Sequence, residues 1–314
     1  MSEYSDRPAA LANQSILIPA RPGMTAIQIL NRPPAPEWLR TRVYAGDLLI
    51  VRETEAAARL VEFFDNELRA AFACDTPALA QFSMTGEDWQ RLAARLRADY
   101  KRDRRAAEQM RDFLTGFGLE AARTAVDVLN LRAQPHDDDP GPDARHTLGV
   151  HRDTWASNVY QQINWWLPVY PITPGRTIAF FPALWDQPIV NDSADWDLEA
   201  IGAEVRAARH EGRDPVIRNT PDPIETLDPS GAMPVVVEPG DVLIFSGAHL
   251  HASVPNASGA SRFSLEMRSV DVADAVAGRG APNVDGAAPR TAWRWFRRLD
   301  TGERLPATGP SDPG

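Results

Sequence analysis

The sequence predicts an α+β chain with a mainly β core, in which a layer of helices packs on a sandwich of short strands. Three observations predict it. Apolar residues at helical spacing are concentrated in the first third of the 314 residues. From Val126 onward the texture changes to short β-branched or aromatic runs bounded by Gly, Pro, Asn or Asp. There is no internal repeat, so the strands belong to one sandwich or barrel rather than to a solenoid. A chain of this length can bury a substantial core, and a single domain over 15–302 is expected.

Residues 1–14 are polar, have no signal-peptide h-region and read as a disordered N-terminus. VYAGDLLIV (43–51) alternates like a strand. EAAARLVEFFDNELRAAFA (55–73) spaces Leu60, Phe63, Phe64, Leu68 and Phe72 as a helix does. Cys74 stands at the buried end of that helix and reads as a small core residue. One or two helices start at Thr85 or Gly86 and end near Gly116. VDVLNLRA (126–133) is strand-like, and QPHDDDPGPDAR (134–145) is an acidic, Pro-rich loop. Further strands are expected within 158–170, 176–185, 233–247 and 261–272. Residues 186–232 interrupt them with a polar insertion, helical over 195–212, which reads either as a surface loop or as a lid over a substrate. TAWRWFRRL (291–299) reads as a helix packed on the domain or on a second subunit, which leaves a homodimer open. The Pro- and Gly-rich tail, 303–314, reads as disordered.

A net charge of −10 argues against nucleic acid and against an anionic membrane surface. No apolar run approaches the roughly 18 residues of a membrane helix. The one cysteine cannot form an internal disulfide, and a reducing cytoplasm is its simplest home. A small-molecule substrate in a buried site is compatible with any net charge. No basic cluster stands out in the sequence as a grip for substrate phosphates.

Six histidines are present, and two blocks carry chemistry. In HRD (151–153), an extended backbone would turn His151 and Asp153 to the same side, toward one metal. In GDVLIFSGAHLHASVPNASGASRFSLEMR (240–268), a strand carries His249 and His251, either of which could face a cavity. A turn near 257 would close a hairpin and set Arg262 almost opposite His251. Two histidines and one carboxylate, with other positions open, suit non-haem Fe(II). The Arg262 fork matches the distal carboxylate of 2-oxoglutarate, and Ser264 on the same face adds a hydroxyl. Gln162, Asn164 and Trp166 share one face of their strand, although Trp165 and Trp166 also read simply as core. His136 with Asp137, Asp138 and Asp139 reads as a solvated acidic loop, His146 lies near the expected pocket mouth, and His210 reads as surface.

These blocks resemble the phytanoyl-CoA dioxygenase-like branch of the Fe(II)/2-oxoglutarate oxygenases. The resemblance rests on HRD at 151–153, LHASVPN at 250–256 and an Arg eleven residues after His251, and it spans about 43–272. It implies a double-stranded β-helix, a cupin-like jelly roll with helices on one side. It implies His151, Asp153 and His251, rather than His249, as the catalytic metal ligands. It also implies Trp166, with Asn164 or Gln162, beside the 2-oxoglutarate site. The implied cofactors are Fe(II), 2-oxoglutarate and O2, and the implied default outcome is hydroxylation. The family's namesake substrate is a long-chain acyl-CoA, but with no basic cluster for CoA phosphates the expected substrate is a small metabolite, as in natural-product biosynthesis. Two other readings use the same fold: a cupin-type metal enzyme without 2-oxoglutarate, and a non-catalytic ligand-binding protein. Arg262 and Ser264 speak against the first, and the complete ligand set speaks against the second.

Overall fold

Capping residues set the helices. In a computed structural model that describes residues 16–17, 26–138, 148–211, 213, 218 and 220–306, Thr54 and Thr85 accept hydrogen bonds from the backbone N–H three residues on, at Ala57 and Asp88, and Asp103 accepts one from Arg105. The elements in chain order are β1 (Ile16–Leu17), β2 (Ile27–Leu30), α1 (Pro36–Tyr44), β3 (Leu48–Val51), α2 (Glu55–Phe72), α3 (Gly86–Tyr100) and α4 (Arg104–Gly116). Then follow β4 (Thr124–Val126), β5 (Asn130–Gln134), α5 (Asp153–Ser157), β6 (Ile163–Pro168), β7 (Ile178–Phe180), α6 (Leu198–Glu211) and β8 (Met233–Val235). The last are β9 (Val242–Ser246), β10 (His251–Ser253), β11 (Arg262–Asp271), α7 (Val272–Val276) and β12 (Arg297–Arg298).

The strands form two sheets. The larger runs β1-β2-β3-β9-β6-β11-β4-β12, with β5 also paired to β11. The smaller runs β10-β7-β8. Strand alternation sorts side chains between the two faces of the larger sheet. Leu49, Val51, Ile163, Trp165, Leu167, Val242, Ile244, Phe263, Leu265 and Met267 pack under α2, α3 and α4. Trp165 lies edge-on to Phe113 and Phe117, with ring centroids 5.8 and 5.3 Å away. Leu48, Ile50, Trp166, Leu243 and Phe245 pack instead against Ile178, Phe180 and Val235 of the smaller sheet. This is the expected jelly roll: two facing sheets, with helices covering one side. Between the sheets, β11 departs from apolar filling. Arg262, Ser264, Glu266 and Arg268 alternate with Phe263, Leu265 and Met267 and so lie on the face turned to the smaller sheet. Among the described residues no helix is long and apolar enough to cross a membrane.

Several expectations are corrected. The strand expected over 43–51 is only Leu48–Val51, because α1 starts at Pro36 and carries Val43 and Tyr44 before Gly46, at φ 97°, ends it. The expected strand 126–133 is two strands, broken where the Asp127 carboxylate accepts from Val128 N. The expected hairpin of 240–268 does not form. Its first strand breaks at 247–249, and β10 leaves to pair with β7, so the cross-strand partner of Arg262 is Gln134 rather than His251. The expected helix over 291–299 is one 3-10 turn at Trp293–Trp295 followed by β12, which pairs with β4. Residues 303–306 are held by bonds such as Leu305 N to Phe296 O, 2.9 Å. Residues 1–14, 307–314 and His146 lie outside the described residues.

Candidate metal centre and cosubstrate pocket

His151 and His251 are joined backbone to backbone. Each N–H donates to the other's carbonyl at 2.9 Å, an isolated antiparallel bridge beside β10. Asp153 is not extended, as the sequence suggested, but is the first residue of α5, whose tight turn still brings its carboxylate back beside His151. One ligand atom from each of His151, Asp153 and His251 falls within 4.8 Å of the others, and all three residues are buried.

Hydrogen bonds around the histidines decide which nitrogen is available. His151 Nδ1 lies 2.8 Å from Gly149 O, and His251 Nδ1 lies 2.9 Å from His249 O. A carbonyl can only accept, so both Nδ1 atoms carry the proton and both Nε2 lone pairs are free for a metal. Burial, then the neighbouring His151, pushes His251 down to about 4, which keeps it neutral at ordinary pH.

Asp153 is divided between two tasks. Its Oδ1 lies 3.4 Å from His151 Nε2 and 3.9 Å from Arg268 Nη2. Its Oδ2 accepts from Gln162 Nε2 at 3.0 Å and from Asn164 Nδ2. Burial alone would raise its pKa, but the Arg268 guanidinium counters it, and the carboxyl is held well below the usual carboxylate range. Gly247 makes this close packing feasible, since a Cβ there would sit 2.9 Å from Gln162 Nε2 and 3.4 Å from Asp153 Cβ. Gln162 and Asn164, expected beside the cosubstrate, therefore stand behind the aspartate and orient it. Replacing Asn164 by Ala is expected to weaken Fe(II) binding by about 10–100-fold. Competition against a chromophoric Fe(II) chelator measures this, and unchanged affinity would remove Asn164 from the role.

His249 is elsewhere. Its Nε2 meets Gly46 O at 3.0 Å, and its ring lies 4.4 Å from Trp185. Burial pushes it down to about 3, so it is a neutral packing residue.

The triad opens into a cavity of about 780 Å³, within the roughly 300–1,000 Å³ usual for small-molecule sites. Trp166, Ile178 and Phe245 form apolar walls, and Arg262 reaches in from β11. Arg262 is 4% exposed, and among the described residues its one side-chain hydrogen bond is to a neutral acceptor, Nη1 to Thr177 O at 2.6 Å. Among the described residues no carboxylate lies within ion-pair distance of it, and both its Nε and Ser264 Oγ are buried without a partner. Burial, then the neighbouring Arg132, pushes the guanidinium down to about 10. A buried cation beside orphaned polar atoms is costly unless an anion completes it. Sequence reasoning missed Glu266 and Arg268, although the alternation R-F-S-L-E-M-R signals them. Glu266 pairs with Arg132 at 2.9 Å and Arg268 at 3.2 Å, and Arg268 also reaches Asp127 at 3.6 Å.

Arg152, between two of the ligands, faces away from them. It donates to Asp285 at 3.1 Å and to the carbonyls of Leu184, Trp185, Gln187 and Ala248. Asp285 also accepts from Trp155 Nε1 at 2.7 Å and Ile189 N at 3.0 Å. Removing one member of a buried pair strands the other, so Asp285→Ala is expected to cost about 3–5 kcal/mol of stability, read from the urea midpoint. A shift below about 1 kcal/mol would show that the carbonyls alone hold Arg152.

The sequence matches the family model described as phytanoyl-CoA dioxygenase over residues 46–264. Among solved structures, the non-heme monooxygenase ThoJ in its apo form is 16% identical, with 84% of this chain and 85% of that chain covered and a TM-score of 0.43. The epimerase SnoN, solved in complex with Fe3+, alpha ketoglutarate and nogalamycin RO, is 14% identical, with 76% and 85% covered and a TM-score of 0.39. AviO1 from Streptomyces viridochromogenes is 16% identical, with 78% and 97% covered and a TM-score of 0.37. No curated protein matches the sequence.

Proposed function

The chain belongs to the phytanoyl-CoA dioxygenase family of non-haem iron, 2-oxoglutarate-dependent oxygenases, and from that premise we propose that it hydroxylates a small-molecule metabolite, with Fe(II) held by His151, Asp153 and His251. The observation that carries the reading is Arg262: a buried cation with no carboxylate partner among the described residues, lining the cavity onto which the triad opens. Arg262 and Ser264 take the distal carboxylate of 2-oxoglutarate, and Trp166 packs on the cosubstrate. Bound iron supplies activation of dioxygen at the expense of 2-oxoglutarate, which leaves as succinate and CO2.

The protein's own share is binding, charge and exclusion of water. The Nε2 atoms of His151 and His251 and the Asp153 carboxylate would give a dication three ligands and a single negative charge, with positions left for small molecules. Ile178 and Phe245 keep the wall beside His251 apolar. The described part of the 186–232 insertion, from which Val205 of α6 and Thr220 line the cavity, serves as a lid over the site.

The test is anaerobic addition of Fe(II) and then 2-oxoglutarate. A visible charge-transfer band is expected, followed in air by succinate release that depends on both and rises with the right metabolite. Iron binding without the band would favour a cupin-type enzyme that does not use 2-oxoglutarate. Failure to bind iron would favour a ligand-binding protein.

A further inference from the structure

We propose that the substrate is an organic anion whose phosphate or carboxylate group is gripped at the cavity mouth by Arg97, Lys101 and Arg102; this rests on the cavity being the oxygenase site. The grip is built on one face of α3. Ala94, Arg97, Ala98 and Lys101 recur at helical spacing and line the cavity, while the neighbouring stripe of Trp89, Ala93, Leu96 and Tyr100 is buried in the core. Alanines at 94 and 98 leave the space beside the cations clear. Arg102 follows at the helix end, and Arg132 faces them from β5.

The other arginines of the same helix behave differently. Arg91 pairs with Glu87 and Asp88 at 2.8 Å each, and Arg95 with Asp99 at 3.5 Å. Arg97, Lys101 and Arg102 have no carboxylate within 4.0 Å among the described residues. The negative end of the helix dipole favours a cation in the last turn. It does not account for three of them converging with Arg132. Burial first, and then the positive charge of Arg132, holds both Arg97 and Lys101 below their usual range.

The charge balance points the same way. Among the described residues, six basic side chains line the cavity (Arg97, Lys101, Arg102, Arg132, Arg262 and Arg268) against two carboxylates, Asp153 and Glu266. Asp127, beside Arg268, adds a third from behind the lining. Fe(II) and 2-oxoglutarate bring opposite double charges and cancel, so the excess of three cations persists in the loaded site. It persists inside a chain whose net charge is −10. The surplus is aimed at a third anionic molecule.

The test titrates the anaerobic Fe(II)–2-oxoglutarate enzyme with phenyl phosphate, benzoate and neutral benzamide by calorimetry. Phenyl phosphate or benzoate is expected to bind at least about tenfold more tightly than benzamide, the preferred anion identifying the group, and to weaken as salt is raised. The Arg97→Gln/Lys101→Gln double variant should lose about tenfold or more of that anion affinity. The Arg97→Lys/Lys101→Arg variant should retain most of it. Equal binding of benzamide, or unchanged anion binding by the double Gln variant, overturns the proposal. If the chelate does not form in the wild type, the oxygenase reading fails. The same titration on metal-free protein then still reads the mouth alone.

Discussion

In an Arg262→Ala enzyme, half-saturation by 2-oxoglutarate is expected to rise by about 30-fold to several thousand-fold, with little change in the substrate requirement. The estimate follows from losing a buried charged partner of a carboxylate, about 2–5 kcal/mol, at about 1.4 kcal/mol per tenfold. Arg262→Lys should recover only part of the loss, because an ammonium replaces a two-pronged fork by a point charge. A stability readout separates this role from a structural one. Arg262→Met keeps the bulk and removes an uncompensated cation, so the metal-free melting temperature should stay level or rise. The increase in melting temperature that 2-oxoglutarate gives the wild type should vanish. An unchanged cosubstrate titration in the Ala variant would rule out the assigned role.

Asp153→Ala is expected to abolish turnover and to weaken Fe(II) binding beyond the roughly 10–100-fold that loss of an outer partner costs. The change removes one of three ligand atoms and the only negative charge among them. It also strands the Gln162 and Asn164 amides and leaves Arg268 with Glu266 and Asp127 alone. His251→Ala should behave alike, whereas His249→Ala should keep its iron, since both ring nitrogens of His249 are engaged with backbone groups. Full turnover in the His251 variant with loss in the His249 variant would reverse the ligand assignment.

The metal ligands were legible because their signals are local: HRD, and LHASVPN with an Arg eleven residues past its histidine. The helical layer was legible for the same reason, since Thr54 and Thr85 cap apolar stripes of the right period. What escaped depends on contacts distant in sequence. The route of β10 into the smaller sheet could not be read from its residues, so Arg262 was given the wrong strand partner though the right cavity. Alternation puts Gln162 and Asn164 on one face of β6 with Trp166, but their attachment to Asp153 needs the turn of α5. Arg97 and Lys101 look in sequence like the solvated charges of any helix. Their lack of carboxylate partners among the described residues, beside Arg91 and Arg95 which have them, sets them apart.

The Arg152–Asp285 pair has a consequence for where this protein can be cut. The family match ends at residue 264, inside β11 and 21 residues short of Asp285. A fragment trimmed to the matched segment would keep all three metal ligands yet leave the guanidinium between two of them without its counter-ion. It would also lose the β11 end that carries Arg268. The smallest autonomous unit therefore reaches past the recognisable motif, to at least the loop holding Asp285. Any chimera that exchanges C-terminal segments among relatives should move Arg152 and Asp285 together.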